Sequence, residues 1–197
     1  MRVFLTVLVL IFGLHSWTYG DDARDFEIEG MSIGDSLLDY YSEEEIKKKI
    51  MSHWYQYLKK NVYFIVALSD FQTYDFIDIS IKHNDNKYII DSFSGAIYFG
   101  QNKEVKNLDD CYIKQKKMAN ELSILFKNSK KFGPKKITHM KLDPSGKSTY
   151  TDIMFLLDSG YVAGISCYDY SEDLKKHEDF MSVAIRSKNF DDWLGGS

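Results

Sequence analysis

Proline is nearly absent. Pro134 and Pro144 are the only two in 197 residues, and no Pro-, Gly- or Ser-rich tract interrupts the chain. That excludes folded modules strung on flexible or polyproline linkers. Cysteine is as scarce, with Cys111 and Cys167 alone and no CxxC pair, which excludes a thioredoxin-like redox motif. The histidines after residue 20 (His53, His83, His139 and His177) lack metal-ligand spacing with each other or with the cysteines, so neither a metal site nor a cofactor is expected. There is no basic excess either. Lys and Arg total 25 against 29 Asp and Glu, a formal net charge of −4. A nucleic-acid partner, which needs a basic face, is excluded. Finally, no apolar run approaches the roughly 20 residues that cross a bilayer.

The longest apolar run, Val3 to Leu14, instead follows Arg2 and precedes Thr18 and Gly20, the pattern of a secretory signal peptide spanning residues 1–20. The mature chain is then 21–197, more acidic by the one positive charge of Arg2. An exported protein, periplasmic or secreted, with no transmembrane segment after cleavage is the expectation. In that compartment a lone cysteine pair most simply forms one disulfide, which would stabilise the fold by about 4 kcal/mol through closure of a long loop; two buried thiols are the alternative.

What the chain has in quantity is aromatic residues, with 14 Tyr and 13 Phe, better suited to sheet than to a helical bundle. Residues 21–27 read as a loose acidic segment. Ser32 or Asp35 can cap a first helix, and Ser42-Glu43-Glu44-Glu45 is a capping box opening a second, which makes a helical hairpin. Val62 to Leu68 reads as a buried strand. Tyr74 to Lys82 alternates with Ile77, Ile79 and Ile81 on one face, Lys87 to Asp91 returns as its partner, and Ser94-Gly95 makes a turn before Ala96 to Phe99. Asp109 or Asp110 then caps a helix with an apolar stripe of Cys111, Met118, Leu122, Leu125 and Phe126, ended by Lys127, Lys130, Lys131 and Gly133-Pro134. Thr149 to Leu157, the turn Asp158-Ser159-Gly160 and Tyr161 to Tyr168 form a hairpin. Phe180 to Arg186 adds a strand, and Asn189 to Leu194 a terminal turn carrying Trp193. The fold class is α+β: one domain over 21–197, antiparallel sheet with helices packed on one face, its element order repeated in tandem helix-plus-hairpin units at 30–105 and 106–197.

One four-letter match bears on catalysis. Gly34-Asp35-Ser36-Leu37 spells the block of the GDSL esterases and so resembles a nucleophile turn. That resemblance implies Ser36 as nucleophile, with His177 as base and Asp173 as its orienting acid. The context differs: Glu27 to Ile33 is too polar for a central parallel strand, and Asp173 to His177 is one residue longer than D-x-x-H. The bland reading is that Asp35 and Ser36 open a helix. Asp143-Pro144-Ser145-Gly146 and His83-Asn84-Asp85-Asn86 are turns too short for a calcium loop. The lysines between Lys127 and Lys141 read as a solvated face that could alternatively touch anionic lipid or polyanions. Trp54, Tyr55, Tyr57, Tyr63 and Phe64 read as core, with sugar stacking or a partner surface as the alternatives.

The stretches FEIEGMSIGDSLLDYYSEEEIKKKI, CYIKQKKMANEL and the final DDWL resemble small exported proteins of unknown function from marine bacteria. That resemblance implies a signal peptide and a Cys111–Cys167 pair. The element order is also similar to the beta-lactamase-inhibitor-protein-like fold. The expected function is a non-catalytic binding or envelope-interaction protein whose partner is a protein or a small ligand; the alternative is the Ser36 esterase.

Overall fold

The computed structural model describes residues 23–51, 62–100, 104–140, 142–174 and 177–195. The signal-peptide expectation and Trp54, Tyr55 and Tyr57 lie outside them. The chain builds a seven-stranded antiparallel sheet. Its strands are β3 (Tyr63–Leu68), β4 (Phe76–Lys82), β5 (Ser92–Tyr98), β6 (Lys130–Thr138), β7 (Thr149–Leu156), β8 (Val162–Asp169) and β9 (Phe180–Arg186). Their order is β3-β4-β5-β9-β8-β7-β6. The two meanders do not form separate sheets, because β5 pairs with β9 along its whole length. A two-stranded ribbon of β1 (Glu27–Ile28) and β2 (Met31–Ser32) precedes them.

Strand alternation sorts the side chains onto two faces. On the first lie Val66 and Leu68, Ile77, Ile79 and Ile81, Phe93, Val183 and Ile185, Ala163 and Ile165, and Ile153 and Phe155, all in one buried cluster. Helix α2 (Leu108–Leu125) lies over β8 and β9 on this face. Asn107 starts it by accepting the Asp110 N–H. Its buried stripe is Cys111, Gln115, Ala119 and Leu122, and Cys111 is disulfide-bonded to Cys167 of β8. The amide of Gln115 donates to the Thr151 and Ile165 carbonyls at 2.7 and 2.6 Å, tying the helix to β7 and β8.

Residues 23–27 are not loose. Phe26 is buried between Phe93 of the sheet and Phe126 at the end of α2, with ring centroids 5.9 and 6.5 Å away. The expected helical hairpin is reduced to a 3-10 turn, Leu37–Asp39, followed by α1 (Glu43–Lys48), whose capping box is formed as read. A full first helix is displaced by pairing: Gly34 and Leu37 donate to Ile90 and Tyr88, and Ile90 donates back to Asp35. Residues 87–90 are therefore occupied with this segment, only Asp91 bonds β4, through Ser80, and the strand partner of β4 is β5 instead. Ser94-Gly95 is accordingly mid-strand, where Gly95 leaves room for the Tyr74 ring that a Cβ would strike.

Both sheet edges are managed. Outside β3, Met51 donates to Ile65 and Ala67 to Lys49, closing that edge. At the other end the expected basic tail of α2 is instead the edge strand β6, broken by a bulge between Phe132 and Lys135. Lysine, proline and a bulge on an edge strand discourage a further strand from adding. Gly133 at this bulge has φ +93°, and a Cβ there would collide with the Asp152 carbonyl oxygen. Gly133→Ala is expected to cost more than about 2 kcal/mol in urea-unfolding free energy, from left-handed strain plus the clash.

Candidate functional site

The second face of the sheet departs from what stability alone would select. Where no second layer covers a sheet, long charged side chains usually fill the solvent side; here the centre carries small hydroxyl and carboxyl residues. Helix α3 (Lys188–Gly195) packs on this face at the β3 end, with Phe190 and Trp193 against Tyr63 and Ile65. Ser187 holds its start, accepting the Phe190 N–H and donating to Asp91. Helices thus lie on both faces, α2 on one and α3 on the other.

Cross-strand registers assemble the rest. Asp78 of β4 sits opposite Ser94 of β5, Ser182 of β9 opposite Ser166 of β8, and Ser166 opposite Asp152 of β7. The hydroxyls of Ser94 and Ser182 are 2.9 Å apart, and Ser166 Oγ donates to Asp152 Oδ1 at 2.9 Å. A polar belt therefore crosses five strands, about 19 Å at the usual strand spacing. Ala96, Ala184 and Gly164 keep its floor low.

Arg186 rises from β9 beside this belt. Its Nε lies 3.0 Å from Asp191 Oδ1 of α3, but off the hydrogen-bond direction, so the buried Nε–H is unsatisfied. Among the described residues no hydrogen-bond acceptor engages the guanidinium. Burial pushes the Asp78 carboxyl up to about 7, opposed by the Arg186 charge. Burial also raises Asp152, against the Ser166 hydrogen bond and Arg186. Stranding charge here is costly without a partner.

Next to the belt runs an aromatic row. Tyr98, Phe180, Tyr168 and Tyr150 are register partners on β5, β9, β8 and β7. Phe180 and Tyr168 stack at 4.4 Å with planes 9° apart, and Tyr150 stacks on Tyr168 at 5.3 Å. Their faces are spent on one another, so the row presents edges and hydroxyls as a wall. Burial raises the Tyr168 hydroxyl to about 12, so it remains a donor at neutral pH. His139 lies 5.7 Å from Tyr150, and His177 lies 5.2 Å from Tyr170, which continues the cluster.

Among the described residues no hydrogen bond joins Ser36, Asp173 and His177 of the esterase reading. Ser36 donates to the Lys87 carbonyl at 2.7 Å and accepts the Leu38 N–H, as a cap. Asp173 pairs with Lys147, while His177 stays with Tyr170. Tyr63 and Phe64 point to opposite faces, Tyr63 into the α3 cluster and Phe64 towards Tyr88. Asp143 spends both oxygens on Ser145 and Ser148 inside its turn, which holds its carboxyl well below the usual range. Among the described residues no group of three or more His, Cys, Asp or Glu could hold a metal ion, and no helix is long and apolar enough to cross a membrane. The belt itself was missed in the sequence. Its trace is the alternation Asp78-Ser80-Lys82 opposite the three isoleucines, which identifies a face but not its neighbours.

No protein family, curated protein or solved structure matches the chain.

Proposed function

We propose that this is an exported, non-catalytic binding protein that holds an uncharged, polyhydroxylated ligand of the saccharide class on the second face of its sheet. The belt of Asp78, Ser94, Ser182, Ser166 and Asp152 beside Arg186, which is ion-paired with Asp191 but keeps a buried, unsatisfied Nε–H, carries this reading. Carboxylates accept from neighbouring ligand hydroxyls, while arginine, serine and the tyrosine hydroxyls along the edge of the aromatic row donate to ligand oxygens. Charge disfavours the competitors. Asp191, Asp152 and Asp78 offset Arg186, leaving no positive excess for a free anion, and Arg186 opposes a polycation lying along the belt. The Arg2-led apolar run, the disulfide and the absence of a membrane-crossing helix among the described residues support export.

Calorimetry against neutral mono- and oligosaccharides, with uronic acids and polyamines as charged controls, tests this. A neutral saccharide is expected to bind, with affinity reduced about tenfold or more in Asp152→Asn through loss of a charged hydrogen bond. Binding of the charged controls alone, or of nothing by a protein shown to be folded, would overturn it.

A further inference from the structure

A second surface lies at the β6 corner, beyond the Asp152 end of the belt. Every residue of Lys130–Thr138 is exposed except Ile137, which is half-buried. Lys130 and Lys135 project on the second face and Lys131 and Lys136 on the first, with Lys127 just before the strand, so this edge carries lysine on both sides in a chain whose net charge is −4. Among the described residues none of the five forms an ion pair. Lys131 bends back over the Phe155 ring, and Asp152, in register with Lys135, is turned to Ser166. The charge is therefore uncompensated.

Between these lysines lies apolar surface. Phe132 is 49% exposed and Leu156 is 38% exposed. Phe132 pairs with Met154 and Leu156 with Lys130 and Val162, so these side chains share the second face beside the edge. Folding leaves a large aromatic in water only at a cost. A solvated lysine face does not need one.

We infer that this corner docks on an anionic lipid bilayer, the lysines meeting headgroups while Phe132 and Leu156 enter the interface. Lysines next to exposed aromatic and aliphatic groups are the combination that binds such a surface. A soluble acidic partner would satisfy the lysines and leave Phe132 unexplained. The net acidity of the rest of the chain matters little, since charges beyond about 8 Å are screened at physiological salt. Nothing in this docking depends on what the belt binds.

The test is cosedimentation of the purified protein with phosphatidylcholine vesicles, with and without phosphatidylglycerol. Binding is expected only with phosphatidylglycerol and should fall as salt rises. A triple Lys130→Gln, Lys135→Gln, Lys136→Gln variant should bind roughly a hundredfold more weakly, at about fivefold per lysine. Phe132→Ser should weaken binding while keeping its salt dependence. All substituted side chains are exposed, and circular dichroism verifies each fold. No binding to the anionic vesicles, or binding that the triple variant retains, would overturn the inference. So would lysine-dependent binding to heparin without vesicle binding, which would assign the patch to a soluble polyanion.

Discussion

Replacing Cys111 and Cys167 together by alanine is expected to lower the unfolding free energy by about 4 kcal/mol. The two residues are 56 apart in sequence, and both are fully buried. Cutting the bond frees a long loop in the unfolded chain, which is where most of the effect arises on the chain-entropy account. The native state loses less, because Gln115 still holds α2 to β7 and β8 through two carbonyls, and Ala119 and Leu122 stay packed. Urea unfolding of the oxidised protein and the double variant, side by side, reads the difference. A loss under about 1 kcal/mol would mean that the unfolded chain is already compact around this loop.

The other large effect is a pH dependence centred on Asp78. Its folded value of about 7 lies well above the 3.8 expected in the unfolded chain. The folded state therefore holds a proton that the unfolded state releases, and stability falls as pH rises between those values. The cost is absent below pH 4, grows through neutrality and is complete above pH 7. A shift of about three units corresponds to about 4 kcal/mol, less whatever the half-exposed side chain recovers from water. Arg186 faces Asp78 and limits the cost, while Asp152 and Asp191 share that arginine. Asp78→Asn should remove most of this slope and leave the variant more stable than the parent at pH 8, by about 2 kcal/mol or more. The same change in urea-unfolding free energy from pH 5 to pH 8 in the parent and in Asp78→Asn would show that the carboxylate is better solvated than its setting suggests. An Asp kept at this cost in the middle of a sheet is more readily understood as part of a binding surface than as a stabilising feature.

Much of the fold could be read from local pattern. The capping box at Ser42, the isoleucine alternation of β4 and the β7–β8 hairpin rest on spacing within a short window and are found, as is the Cys111 and Leu122 part of the α2 stripe; the Cys111–Cys167 bond was legible because the chain has only that pair. The misreadings share a cause. Lys130 to Lys136 carries residues that end helices, and only an edge position makes Lys-Lys-Phe-Gly-Pro-Lys-Lys acceptable as strand. Ser94-Gly95 has the composition of a turn, yet Gly95 is needed where the Tyr74 ring crosses the sheet. Lys87 to Asp91 has strand character, but its residues 87–90 are taken by residues 34–37, a pairing across some fifty positions that no local window contains. The belt was illegible for the same reason. Asp78, Ser94, Asp152, Ser166 and Ser182 are unremarkable alternating polar residues until the four registers joining five strands bring them side by side.

The central claim is that this belt binds a ligand, and a backbone-amide NMR titration with the neutral saccharide panel tests it most directly. The account predicts shifts grouped at Asp78, Ser94, Asp152, Gly164, Ser166, Ser182 and Arg186, with α2 unmoved. Shifts confined to other elements, or none with any member of the panel, would contradict it.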